Sequence, residues 1–300
     1  MRPDWIAVDW GTSRLRVFAM DGMVVLAERS SDLGMGCLAR EGFEPALMAL
    51  AAPWMGAGAI EVRACGMVGS RQGWFEAPYR AVPCAPVEAG AAVAVPVADA
   101  RLRVTIVPGL KQAAPADVMR GEETQIAGVL ALHPGFDGVI ALPGTHCKWA
   151  HVSAGEVVSF LTVMTGELYA LLSGQSVLRH GMVGEGWDEA AFDAAVAEAM
   201  SHPARLTARL FGLRAEALLT GLDPGVARAR LSGMLIGMDL AASRAWWLGR
   251  EVAVLGDGAL AGLYARALAA QGVAPMRIAG RAATLAGLAQ SRGAGAGSRP

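Results

Sequence analysis

The stretch "WIAVDWGTSRLRVFAMDG", residues 5–22, decides the reading of the fold. Its first apolar run ends on an acid, Asp9, followed at once by a small-residue turn and a second strand. "VVLAER" continues the pattern after Asp21 and Gly22, so residues 5–28 read as strands joined by tight turns. A helix is expected around "GFEPALMALAA", and a strand in "AIEVRACGMVGS". The segment from Tyr79 to Pro108, rich in Pro and Val, reads as strands and loops.

A second unit is expected to begin near "DVMRGEETQIAGVLALH", where Ile126, Val129 and Leu130 make a helical stripe. "GVIALPGTHCKWAHVSAGEVVSFLT" repeats the opening logic of strand, small polar turn and strand. Residues 166–247 read as mostly helical. "EVAVLGDGALAGLYARALAAQG" then gives a strand, a Gly turn and a helix, followed by a short strand "PMRIAG" and a closing helix "AATLAGLAQ". Residues 291–300 are expected to fray. Two related α/β units around a central cleft are expected, with the boundary near residue 112.

The chain of 300 residues, 54% of them hydrophobic, is long enough for two cores. A formal net charge of -1 and the lack of a Lys/Arg run argue against nucleic acid as a partner. The richest apolar stretch, "AGAAVAVPVADA", is too short to span a membrane and contains Pro96. Residues 1–9 show no secretion pattern, and Cys37, Cys65, Cys84 and Cys147 are scattered, so a reducing cytoplasm is the expected compartment.

Three turns have the chemistry of phosphate and nucleotide binding. A phosphate needs backbone N–H groups it can approach closely, and small residues give that access. Gly11, Thr12 and Ser13 supply one such turn; Gly144 and Thr145 of "PGTH" supply a second. Asp9 adds a carboxylate suited to Mg2+ through water, a metal usually shared with phosphates. Ordinary hairpins also favour Asp, Gly and Thr, so each turn alone is weak evidence. The third turn, Gly256, Asp257 and Gly258 of "VLGDGALAG", opens a helix. As a dinucleotide fingerprint, with Arg277 and Arg281 for a 2'-phosphate, it would leave too little chain for the remaining βαβ units. An adenosine at Gly256–Gly258 is the better reading.

These segments resemble the sugar kinase, Hsp70 and actin superfamily, and more specifically the 2-dehydro-3-deoxygalactonokinase family. The similarity rests on "IAVDWGTSRLR", "CGMVGSRQGWFEAPY", "DVMRGEETQIAG", "LPGTHCKW", "FLTVMTGELYALL", "LSGMLIG" and "LGDGALAGLYARAL", in that order over nearly the whole chain. The resemblance implies a two-domain actin-like ATPase (ribonuclease H-like) fold. It also implies a cytoplasmic enzyme that uses ATP and Mg2+ to phosphorylate the 6-hydroxyl of 2-dehydro-3-deoxy-galactonate. The implied partners are ATP and a small sugar acid, neither nucleic acid nor membrane, with a homodimer left open. Asp257 departs from the family pattern, where a small uncharged residue follows the first Gly. Kinases of other sugars or sugar acids, and a non-catalytic nucleotide switch, are the competing readings.

By position, the resemblance gives Glu122 of "RGEETQ" the role of catalytic base, with Glu123 as the alternative. Both acids would also suit a helix start. Arg71, Gln72 and Trp74 of "GSRQGW" are expected at the substrate, Arg71 on its carboxylate and Trp74 on its carbon chain, although a surface Arg and a core Trp would look the same. Arg14 is expected near the transferred phosphate, and Arg16 on the other face of its strand. Lys148 is expected to support the phosphates and His146 to be structural. Thr165 and Gly166 of "MTGE" would start a helix whose free N–H groups suit an anion, here the substrate.

Overall fold

The chain is seen in a computed structural model that describes residues 3–293. It divides into two units, one holding the chain up to Asp137, Val152–Ser159 and the segment from Ile278 onward, the other Gly138–His151 and Phe160–Arg277. The division falls 25 residues later than the expected one at 112, so "RGEETQ" belongs to the first unit.

In the first unit, β1 (Trp5–Trp10), β2 (Leu15–Asp21), β3 (Val24–Ser31), α1 (Phe43–Ala51) and β4 (Ile60–Cys65) follow one another. Then come β5 (Tyr79–Ala81), β6 (Val93–Ala94), β7 (Leu102–Ile106), β8 (Gly109–Ala113), β9 (Ala116–Met119) and α2 (Glu122–Leu132). A six-stranded sheet has the order β3-β2-β1-β4-β7-β6, and β5-β8-β9 form a three-stranded sheet. β1 pairs antiparallel with β2 and parallel with β4. A strand enclosed on both edges and both faces needs a nearly continuous apolar run, and only Asp9 in β1 escapes full burial. β3, at the sheet edge, carries the exposed charges Glu28 and Arg29, which discourage edge-to-edge pairing.

The second unit contains β10 (Gly138–Leu142), β11 (Cys147–Ser153), β12 (Glu156–Val163), α3 (Thr165–Gly174) and α4 (Glu189–Ser201). Next are α5 (Leu206–Leu219), α6 (Pro224–Ala242), α7 (Arg244–Trp247), β13 (Val252–Leu255), α8 (Ala259–Ala269) and β14 (Met276–Ile278). Its sheet has the order β12-β11-β10-β13-β14, with β10 and β13 parallel and fully buried. The hairpin tip Val152–Ser159 is grouped with the first unit. Asp223 caps α6 by accepting from the Gly225 and Val226 N–H groups, and Pro224 occupies the first turn where no N–H is needed. Among the described residues, no helix is long and apolar enough to cross a membrane.

The closing helix α9 (Gly280–Arg292) belongs to the first unit and packs on α2. Glycines make the approach possible: a Cβ on Gly128 would lie 1.7 Å from the Ala283 carbonyl oxygen, and one on Gly287 would lie 1.7 Å from that of Thr124. The expected fraying does not extend to Ser291 and Arg292. Ser291 is buried, and Arg292 ion-pairs with Glu61 at 3.0 Å while covering the Trp5 ring. Residues 294–300 of that expectation lie outside the described residues.

Candidate functional site

In the first unit, chemistry gathers where β1, β4 and α2 meet. Asp9 lies opposite Arg16 across the β1–β2 pair and opposite Cys65 across the β1–β4 pair. Arg16 therefore does not point away, as expected from alternation along its own strand. Antiparallel partners share a face, and its guanidinium donates to Asp9 at 2.5 Å. The Asp9 side chain is 18% exposed, and burial pushes its carboxyl up against the opposing pull of Arg16. Cys65 is fully enclosed, its thiol held well above its ordinary value by burial and then by the Asp9 and Glu123 carboxylates.

The two acids at the start of α2 have separate environments. Glu123 is completely buried; it accepts from the Gly121 N–H at 2.7 Å and the Thr124 hydroxyl at 3.0 Å. Burial, then the neighbouring Glu122 charge, push it up to about 8. Glu122 is only partly buried and accepts from the Arg120 N–H at 3.0 Å. Of the two, Glu122 is the less enclosed, in the helix's first turn.

Other expected residues of this unit divide between loop and core. Gly11, Thr12, Ser13 and Arg14 form the turn after β1; Arg14 is exposed and ion-paired with Asp32 at 3.5 Å. Arg71 is 82% exposed and lies 3.6 Å from Glu76, with Gln72 exposed beside it. Trp74 is a core residue. It is 7% exposed and packs with Trp10 and Phe43, so it has no flat face to offer a ligand.

Sequence reasoning missed Gly34 and Gly36. The Gly36 N–H donates to the Thr12 carbonyl at 2.9 Å, and the Met35 N–H donates to that of Gly11 at 2.9 Å. A Cβ on Gly34 would lie 2.3 Å from the Ser13 carbonyl carbon, so only glycine allows this backing segment to reach the turn. The available signal was the close glycine pair in "LGMG".

The second unit has a different kind of site. A cavity of about 420 Å³ has Gly144, Thr145, Thr165 and Gly166 among its lining residues. Its apolar walls include Leu235 and Ile236 of α6 and Leu260 and Leu263 of α8. Gly166 backs the "PGTH" turn as Gly34 backs the first. Its Cβ would lie 2.2 Å from the Gly144 carbonyl oxygen, while the Glu167 N–H donates to the Thr145 carbonyl at 2.9 Å. Thr165 and Gly166, expected at the substrate, thus lie against the Gly144–Thr145 turn. Lys148 is buried, with its ammonium donating to Thr162 Oγ1 at 2.8 Å. His146 approaches Glu167 at 2.6 Å. Gly256, Asp257 and Gly258 form the turn between β13 and α8, just before the cavity residues Leu260 and Leu263.

Among the described residues, no cluster of three His, Cys, Asp or Glu side chains is spaced to hold a metal. The carboxylate donor of the first turn is Asp9, a set that fits a hydrated Mg2+ shared with phosphates and not an all-protein cage.

Comparison with known proteins shows the family. A Rhizobium meliloti (strain 1021) protein named probable 2-dehydro-3-deoxygalactonokinase is 40% identical over 293 residues, 95% of each chain. The 2-dehydro-3-deoxygalactonokinase of Escherichia coli (strain K12) is 34% identical over 291 residues, covering 96% of this chain and 97% of its own. A Sinorhizobium meliloti protein, crystallised under a provisional name of the same kind, superposes with a TM-score of 0.89 at 38% identity. That superposition covers 96% of this chain and 95% of the other. The fold is the mixed α/β fold of actin-like ATPases and sugar kinases. With the family profile described as 2-keto-3-deoxy-galactonokinase matching residues 9–291, the chain belongs to that family.

Proposed function

We propose that the protein transfers the γ-phosphate of ATP to the 6-hydroxyl of 2-dehydro-3-deoxy-galactonate. The observation that carries this reading is the 40% identity to a relative of that name over 95% of both chains. The site geometry supports it. Phosphoryl transfer asks mainly for alignment and charge neutralisation, with a carboxylate to take the hydroxyl proton. Glu122 is the better base, because it is only partly buried. Glu123 is fully enclosed with its carboxyl pushed up to about 8, and both its oxygens already accept hydrogen bonds.

In the second unit, the cavity takes the adenosine against Leu260 and Leu263, next to the Gly256–Gly258 turn. The backbone of Gly144 and Thr145 and the start of α3 receive its phosphates. This moves Thr165 and Gly166 from the sugar acid to the nucleotide. In the first unit, Gly11–Ser13 and Arg14 face the transferred phosphoryl group, and Arg71, exposed on its loop, grips the substrate carboxylate with Gln72 beside it. Asp9 would hold Mg2+ through the ion's water shell. Bound there, Mg2+ supplies positive charge to the phosphate oxygens as negative charge shifts during transfer.

The test is a panel of 2-keto-3-deoxy sugar acids assayed for ADP release and product mass together. The expected result is ATP-dependent gain of one phosphoryl group, best with the galacto epimer. Preference for another sugar acid would redefine the substrate. Tight ATP binding with no transfer to any acid would favour a nucleotide switch.

A further inference from the structure

Beneath the second unit's cavity lies a carboxylate with no place in the chemistry above. Asp239 of α6 is completely buried. One of its oxygens accepts from the Trp149 indole N–H at 2.9 Å; the other accepts from the Thr165 hydroxyl at 2.7 Å and from the Tyr264 hydroxyl. The Tyr264 oxygen also lies 3.1 Å from Cys147 Sγ, and that thiol donates to the Gly144 carbonyl at 3.4 Å. A single side chain therefore ties together α6, β11, the first residue of α3 and α8.

Three of those elements, α3, α6 and α8, wall the cavity. Thr165 lines it directly, Ile236 precedes Asp239 by about one turn of α6, and Leu263 immediately precedes Tyr264 on α8. Gly166 abuts the Gly144 carbonyl, so any tilt of α3 is passed to the phosphate turn. A buried carboxylate satisfied by three donors fixes directions that apolar packing leaves adjustable, and removing it would strand those donors.

We infer that Asp239 is a positioning residue that fixes the start of α3 and the cavity wall of α8 for nucleotide binding. This rests on the nucleotide reading of the cavity. It predicts a selective defect: ATP affinity falls while the handling of the sugar acid does not. The experiment compares the full-length wild type with Asp239→Asn and Tyr264→Phe. ATP binding is measured by calorimetry, and KM for ATP and for sugar acid by varying each separately. Asp239→Asn is expected to weaken ATP binding about 10- to 100-fold, the range of a lost hydrogen bond to a charged group, with the sugar-acid KM within about twofold of wild type. Tyr264→Phe, which keeps the ring, is expected to shift the ATP constants the same way by a smaller factor. It also provides the test if Asp239→Asn does not fold.

A lower melting temperature with unchanged ATP affinity would make Asp239 scaffold only and overturn the inference. So would an equal rise in both KM values. If the wild type binds ATP but phosphorylates no sugar acid, the kinase reading fails, and the calorimetric comparison still decides Asp239. If the wild type does not bind ATP, both fail.

Discussion

Gly11–Ser13 in the first unit and Gly144–Thr145 in the second are both Gly-Thr turns that leave a buried strand, and both are backed by a glycine without room for a Cβ. Their surroundings differ. The first has Asp9 and Arg16 across a strand pair, with the acids of α2 in the same unit. The second opens onto a cavity whose lining includes leucine and isoleucine from helices far along the chain. A short turn provides backbone donors, and remote segments decide whether those donors serve charge chemistry or hold a ligand's apolar body.

If the first unit carries the chemistry, the largest effect belongs to Glu122. Glu122→Gln is expected to lower kcat by about 10²- to 10⁴-fold with sugar-acid KM nearly unchanged. Single-turnover rates would check this. A greater loss in Glu123→Gln would transfer the role to the buried acid. Asp9→Asn keeps the shape but leaves Arg16 without its charge partner. A fall in kcat of about 10²- to 10³-fold is expected, with a higher Mg2+ requirement. Initial rates across a Mg2+ titration decide it, and a normal metal dependence would remove Asp9 from the metal.

Arg71→Ala should raise the sugar-acid KM and spare that for ATP, by an amount equivalent to roughly 2 to 4 kcal/mol. An unchanged KM would assign the carboxylate elsewhere. The two backing glycines test the comparison most directly. Gly34→Ala and Gly166→Ala should each cost about 1–3 kcal/mol in urea melts, because backbone blocks the new methyl group. Their functional signatures should diverge, with kcat affected by the first and ATP KM by the second. Matching signatures would erase the distinction between the turns.

The smallest effect per measurement is a pH slope. Folded Glu123 holds its proton up to about 8, whereas the unfolded chain releases it near the ordinary carboxylate value. The stability this proton supplies is complete below that ordinary value and is lost as pH rises toward 8. The loss is roughly 1.4 kcal/mol per pH unit within the window. Glu123→Gln should flatten the stability difference between pH 6 and pH 7. Equal slopes in variant and wild type would mean that Glu123 is already ionised.

Much of the fold and part of the site were legible in the chain. Apolar runs ending in Asp9 and in "PGTH" marked β1 and β10, because strand burial follows the local run of apolar residues. The ordered motifs marked the family. Only tertiary structure decided which unit holds α2, because that depends on glycine contacts with a helix more than 150 residues away. It likewise enclosed Trp74 in an aromatic core and turned Arg16 onto Asp9 through strand pairing. It also distinguished two adjacent glutamates, one partly buried and one fully enclosed with its carboxyl pushed up to about 8. Burial and cross-strand register are properties of neighbours in space, which a local reading of residue spacing does not contain.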